Sequence, residues 1–369
     1  MQGTKVYMAG AEVSALAESL LNNGVKRILW SYFYIMEMKR ERQLASYMEQ
    51  NPDVSFFLDS GAFTYFTKWK KDASKLPHYE KYVERYFSYI DEYGHLYDRI
   101  AEPDLDNTVP GVTNRDVSHW LNEMLLTWPD LPVLPVWHGW RGQDEWNTYL
   151  LDDRIKFLGL GRQSGDSGLM RKLVVQARRV GKPVHGFAQT KVNTSLKKIP
   201  FDSVDSTSWL TGQQYGTMYV FQGNKFITLA NANDGKRRRK LYRNYFKAIG
   251  CDYKKIEDDD VHEVRKANVL AWRMLGDRLA EIQKRRAETD VTHGLERPEG
   301  DSGGVVSLSR GESGEASQGV PRARERAVSA FSEGGILQNF RQRGDEVARM
   351  GERPRERERA PSISSAKQR

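Results

Sequence analysis

Eight times before about residue 250, a short run of β-branched or aromatic residues is followed by a polar turn and then a stretch with helical spacing. The strand-like runs fall at 5–9, 25–31, 54–59, 98–102, 133–138, 155–161, 183–187 and 203–206. Helical spacing follows at 13–21, 37–50, 79–90, 114–126, 143–151, 169–180, briefly near 194–198, and at 236–249. This rhythm and length predict an α/β chain, a (β/α)8 TIM barrel. The alternative is a doubly wound open sheet, but no Gly-x-Gly-x-x-Gly turn follows the first run. A β-hairpin insertion is expected at 219–227, turned at Gly223-Asn224, and a closing helix at 262–285 carries Val264, Ala267, Leu270 and Met274 at helical spacing.

Composition divides the chain. All nine Trp and seventeen Tyr precede about residue 275, whereas the end is rich in Gly, Ser, Glu and Arg. Such a segment cannot bury enough apolar surface to offset its ordering entropy. The expected organisation is therefore a barrel over 1–288 and a disordered tail over 289–369. A single cysteine excludes a disulfide scaffold. No apolar run approaches the ~20 residues that span a bilayer, and the opening residues lack a signal-peptide layout. A soluble, cytoplasmic protein without a membrane partner is expected. A net charge of +8 permits a nucleic-acid partner.

In such a barrel, chemistry sits at the C-terminal ends of the strands. There the sequence places Asp59-Ser60-Gly61, then Glu102-Pro103-Asp104-Leu105-Asp106, then His138-Gly139, Gly159-Leu160-Gly161, His185-Gly186 and Asp205-Ser206. Two carboxylates facing one pocket suit glycosyl transfer. One attacks the anomeric carbon while the other moves the proton of the leaving and entering groups. Each aspartate alone is also an ordinary turn residue, and a strand-end histidine is ordinarily structural, so the joint pattern carries the argument.

That pattern resembles the tRNA-guanine transglycosylase family, barrel enzymes that exchange guanine for a 7-deazaguanine. Leu58-Asp59-Ser60-Gly61-Ala62-Phe63 is similar to the family's Asp-Ser-Gly-Gly-Phe-Gln segment, and Val136-Trp137-His138-Gly139 to its Val-Gln-Gly. Residues 182–188 and 199–206 resemble the approach to its nucleophile; 212–216, the hairpin and 262–268 resemble the family's segments beyond that nucleophile. The resemblance implies Asp205 as nucleophile on C1′ and Asp59 as general acid/base. It implies Asp106 first, or Asp104, as the carboxylate reading the guanine edge, with Gly159 or Gly161 and Gly186 against the base. His138 stands where the family has a Gln, Thr64 replaces another Gln, and Ala62 replaces a Gly.

The family's structural zinc takes three cysteines and a histidine. Only Cys251 and His262 remain in that region, so no metal or other cofactor is expected. Instead stands a basic run, Lys236, Arg237, Arg238, Arg239, Lys240 and Arg243, read either as a solvated helix face or as a phosphate grip. Lys68-Trp69-Lys70-Lys71 is a second candidate contact, and Trp137, Trp140 or Trp209 could stack on bases, although Trp in a barrel is more often core. The shortened, zinc-poor form is similar to the DNA-directed branch found in phages and bacterial modification islands. This implies guanine exchange in DNA with a free 7-deazaguanine base as co-substrate, protecting the DNA from restriction. A tRNA substrate, an inactive nucleic-acid-binding barrel and a glycoside hydrolase are the competing readings, and a homodimer is left open.

Overall fold

The computed structural model describes residues 4–161, 165–190, 199–223, 225–230 and 233–294. Nine parallel strand segments form one sheet: β1 (Lys5–Ala9), β2 (Arg27–Ser31), β3 (Ser55–Asp59), β4 (Arg99–Ala101), β5 (Val133–Leu134), β6 (Val136–Trp137), β7 (Leu158–Leu160), β8 (Val184–Gly186) and β9 (Ser203–Ser206). Their order is β5-β4-β3-β2-β1-β9-β8-β7-β6. The two ends of that order, β5 and β6, are separated in sequence only by Pro135, so the sheet curls nearly shut into a TIM-like barrel. Proline brings no N–H to a ladder. Here the Pro135 carbonyl accepts from the Gly159 amide at 2.8 Å. The Val136 amide donates to the Glu102 side chain, Oε1, at 2.9 Å.

Strands buried on both faces read as near-continuous apolar runs, as in Phe56-Phe57-Leu58 of β3. Tyr7, Ala9, Leu29, Phe57, Ala101, Leu134 and Val136 form one buried cluster, with Phe157 and Phe187 packed against it. Outside lie α1 (Ser14–Asn22), α2 (Tyr32–Met38), α3 (Glu41–Glu49), α4 (Ala62–Lys71), α5 (Tyr79–Tyr93), α6 (Asn114–Thr127), α7 (Gly142–Leu151) and α8 (Ser167–Arg179).

Every expected strand is present, but several helices differ. The single helix expected at 37–50 is two, α2 and α3, parted where Lys39 takes a left-handed φ of 52°. Helix α4 is additional. Its β-prone Phe63-Thr64-Tyr65-Phe66 is held helical because the Tyr65 amide donates to the Gly61 carbonyl and its buried hydroxyl to the Pro77 carbonyl. Tertiary packing here overrides propensity. The helix expected near 194–198 lies outside the described residues.

After β9 come α9 (Thr211–Tyr215) and the antiparallel hairpin β10 (Met218–Gln222) and β11 (Lys225–Leu229), as expected. The helix expected at 236–249 is α10 (Asn233–Leu241) plus α11 (Arg243–Ala248); α12 (Tyr253–Glu257) and α13 (Val261–Gly294) follow. A second buried core joins Met218, Val220, Leu229, Phe246, Cys251, Ile256, Val264 and Leu270. Helix α13 runs on through 289–294; the rest of the expected tail, 295–369, lies outside the described residues. No helix among the described residues is long and apolar enough to cross a membrane.

Candidate active site

Asp59 is the last residue of β3, and the chain turns sharply beyond it. Gly61 adopts φ +77°, and a Cβ there would meet Phe33 Cβ at 2.6 Å and the Tyr82 hydroxyl at 2.8 Å, so glycine is required. The turn aims the Gly61 amide at Asp59 Oδ2, 3.1 Å away, and lets the Ser60 hydroxyl donate to Asp104 Oδ1 at 3.1 Å. Asp205, on β9, accepts on Oδ1 from the Ala188 amide at 2.8 Å and lies 3.3 Å from His185 Nε2. Burial pushes the Asp59 carboxyl up to about 7, reinforced by the negative charges of Asp104 and then Asp205. Residues far apart in sequence, Asp59, Asp104 and Asp205, are thus electrostatic neighbours at the C-terminal ends of the strands.

Asp106 is placed differently from Asp104. It is buried, and Arg141 grips it with Nε at 3.0 Å and Nη2 at 2.5 Å while Trp140 Nε1 donates at 2.7 Å. Burial works to raise this carboxyl, but Arg141 and Trp140 outweigh it and hold it below the usual range. Arg141 also donates to Glu102 Oε1 at 2.5 Å. Glu102, fully buried, is nevertheless pushed up to about 7, because burial exceeds what Arg141 returns. Asp106 is therefore committed to an internal ion-pair network, and Asp104 is the carboxylate left beside Asp59.

His138 joins the site through Asp104: its Nε2 lies 2.8 Å from Asp104 Oδ2. Its ring stacks on Trp140 at 4.3 Å with planes 3° apart. Gly161 backs this ring, since a Cβ there would lie 2.1 Å from His138 Cε1. The other two glycines serve packing. Gly159 leaves room for Phe187 and Leu134, and Gly186 for the Phe201 ring. Trp137 and Trp209 are core, donating to the Gly142 and Ala9 carbonyls.

The sequence reading named His185 at a strand end without giving it a role, and missed Arg141, Arg99 and Glu12. Arg141 follows His138 by three positions. His185 and Arg99 lie inside the barrel; a charged residue within the apolar run Arg99-Ile100-Ala101 was the available signal. Glu12, beyond β1, is buried, accepts from the Ser31 amide at 2.9 Å, and is pushed up to about 7 by burial.

The basic run on α10 is less free than its sequence suggests. Arg239 is buried and donates to the Gly216 carbonyl at 2.7 Å and to Asp259; Lys236 also pairs with Asp259, and Lys240 lies 3.7 Å from Glu257. Arg243 lies over the Tyr253 ring at 5.5 Å. Arg237 is exposed and Arg238 half-buried. On α4, Lys68 and Lys70 lie over Phe33 and Phe66, Lys70 and Lys71 are exposed, and Phe63 is 54 % exposed only four residues after Asp59.

The zinc that the resemblance implies does not fit these residues. Cys251 is buried in the apolar second core, its thiol pushed up to about 12 by burial and then by Glu263, while His262 is exposed. A zinc ligand must be a thiolate, which this environment opposes. Among the described residues no group of three or more His, Cys, Asp or Glu could hold a metal ion. No protein-family model matches the chain, and no curated protein matches it.

Proposed function

We propose that the chain is a (β/α)8 TIM-barrel transglycosylase that exchanges guanine in DNA for a 7-deazaguanine. The observation that carries this reading is the unlike pair Asp59 and Asp205. Asp59 is raised to about 7 and retains a proton near neutrality. Asp205 has one oxygen held by two donors, and its Oδ2 has no partner among the described residues. A carboxyl that keeps its proton and a second carboxylate with one oxygen unpartnered among the described residues suit acid and nucleophile roles.

A target nucleotide leaves the base stack to reach the mouth. Asp205 Oδ2 attacks C1′ and forms a C1′–O bond as the C1′–N9 bond breaks. The electron pair enters the guanine ring, which takes the proton of Asp59. The incoming 7-deazaguanine gives its N9 proton to the Asp59 carboxylate, N9 attacks C1′, and Asp205 leaves as carboxylate. Two inversions retain configuration. Asp104 is the better-supported reader of the guanine edge, because a carboxylate oxygen keeps a second lone pair for the ring N1–H and exocyclic N–H donors. Lys70, Lys71 and Arg237 are the exposed cations for phosphate.

The test incubates the full chain with a guanine-containing DNA duplex, traps the adduct and maps the modified peptide. Attachment at Asp205, lost in Asp205→Ala, supports the proposal. Nucleosides from cells making the protein and a 7-deazaguanine should show the modified base in DNA. Modified tRNA with unmodified DNA would instead assign the tRNA reaction, and no adduct with either would end the reading.

A further inference from the structure

The barrel interior holds a line of polar side chains that runs from its floor to Asp205. At the floor Arg99, 7 % exposed, projects from the first position of β4, and its Nη1 donates to the Ser203 hydroxyl of β9. In the sheet order β4 and β9 stand four places apart, so the guanidinium crosses the barrel. Its charge lies over the rings of Tyr7 and Phe157, at 5.7 and 4.9 Å, and no carboxylate among the described residues is ion-paired with it. Ser203 Oγ is 2.8 Å from His185 Nδ1, and His185 Nε2 is 3.3 Å from Asp205 Oδ1. The rings of Phe57 and Phe187, their centroids 4.7 and 4.5 Å from that of the imidazole in T-shaped contacts, wall it in.

The Asp205 carboxylate sets the direction of this line. Ser203 Oγ accepts from Arg99, and its one proton is then free to go to His185 Nδ1. That leaves the ring proton on Nε2, facing the carboxylate, whereas the other tautomer would point a lone pair at it. Burial is the main influence keeping the imidazole below its ordinary value; Asp205 opposes it and Arg99 assists it. The ring is therefore a neutral donor. Serine, histidine and aspartate also line up in hydrolases, but Ser203 is fully buried on the barrel floor and no substrate reaches it.

We infer that Arg99, Ser203 and His185 form a positioning column that fixes Asp205, clamping Oδ1 and leaving Oδ2 as the single atom offered to substrate. This rests on the transglycosylase reading for the identity of the substrate, while the column itself is a property of the folded chain. Arg99 and Ser203 act through His185, and His185 acts through the Asp205 carboxylate.

Two measurements test it on the full chain. Nitrogen NMR of 15N-histidine-labelled protein, with the His185 signal assigned by its loss in His185→Gln, should show the Nε2–H tautomer. In Ser203→Ala it should show the Nδ1–H form gaining population. Single-turnover adduct formation on a guanine-containing DNA duplex should slow roughly 10- to 100-fold in His185→Phe, the worth of one hydrogen bond to a charged group, with DNA affinity unchanged. His185→Gln, which restores an N–H near the same place, should recover most of that rate. An Nδ1–H tautomer in the parent protein, or a His185→Phe variant that folds and reacts at the parent rate, overturns the column. A parent protein that shows the Ser203-dependent tautomer yet forms no adduct keeps the column and overturns the transglycosylase reading.

Discussion

Replacing Asp59 with asparagine should make the protein more stable as it abolishes adduct formation. Raising a carboxyl from an ordinary 3.8 to about 7 disfavours its ionised form in the folded state by at most about 4 kcal/mol, at about 1.4 kcal/mol per tenfold change. Between pH 4 and 7 the folded chain keeps a proton that the unfolded chain has released. Rising pH therefore draws the equilibrium toward unfolding, and the penalty is complete above about pH 7. The asparagine side chain has no proton to lose, and its amide oxygen can still accept from Gly61. The variant should gain nothing below about pH 4 and most at alkaline pH, with the stability difference from the parent growing by about 2.5 kcal/mol between pH 5 and pH 8.5. Glu12 and Glu102, each raised to about 7, weaken both proteins in the same direction and cancel in the difference. Urea unfolding followed by tryptophan fluorescence at the two pH values measures it. A difference that does not widen with pH would refute the claim that Asp59 sits in a charge-hostile environment, and with it the assignment of Asp59 as the acid.

Arg141→Met leaves Glu102 and Asp106 buried without their cation and should cost about 3–5 kcal/mol near neutral pH in urea unfolding, as removal of one buried partner does; the loss should shrink on acidification as both carboxyls protonate. Gly161→Ala forces the His138 ring off Trp140 and Asp104 and should weaken binding of the free base by about 1–3 kcal/mol, read by calorimetry, with DNA affinity unchanged. Arg237→Ala with Arg238→Ala should lower the slope of log K against log salt for DNA by about 1.8 if both touch phosphate, measured by fluorescence anisotropy.

Much of the barrel is legible in sequence because parallel strands, buried on both sides, spell continuous apolar runs with sharp polar ends, as 55–59 does. Helices carrying aromatics are harder to read. Ala62–Lys71 is rich in β-prone Phe, Thr, Tyr and Trp, which masks the helical spacing of Ala62, Tyr65, Phe66 and Trp69. Within the site, Asp59 and Asp205 announce themselves by position. Asp104 and Asp106 are two residues apart in one loop, and what separates them is Arg141, thirty-five positions beyond Asp106. His185 meets Ser203 of β9, and Ser203 meets Arg99 of β4, a line that depends on curvature of the sheet and leaves no local signature.

The break at Pro135 ties the barrel wall to the loop that bears Asp104. Where the backbone ladder fails, a Glu102 side chain receives the Val136 amide, and the same carboxylate grips the guanidinium that anchors Asp106 and thereby the loop bearing Asp104. A seam sewn by a side chain is heritable in a way a peptide bond is not: one codon, at position 102, resets both how the cylinder shuts and how the loop bearing Asp104 sits.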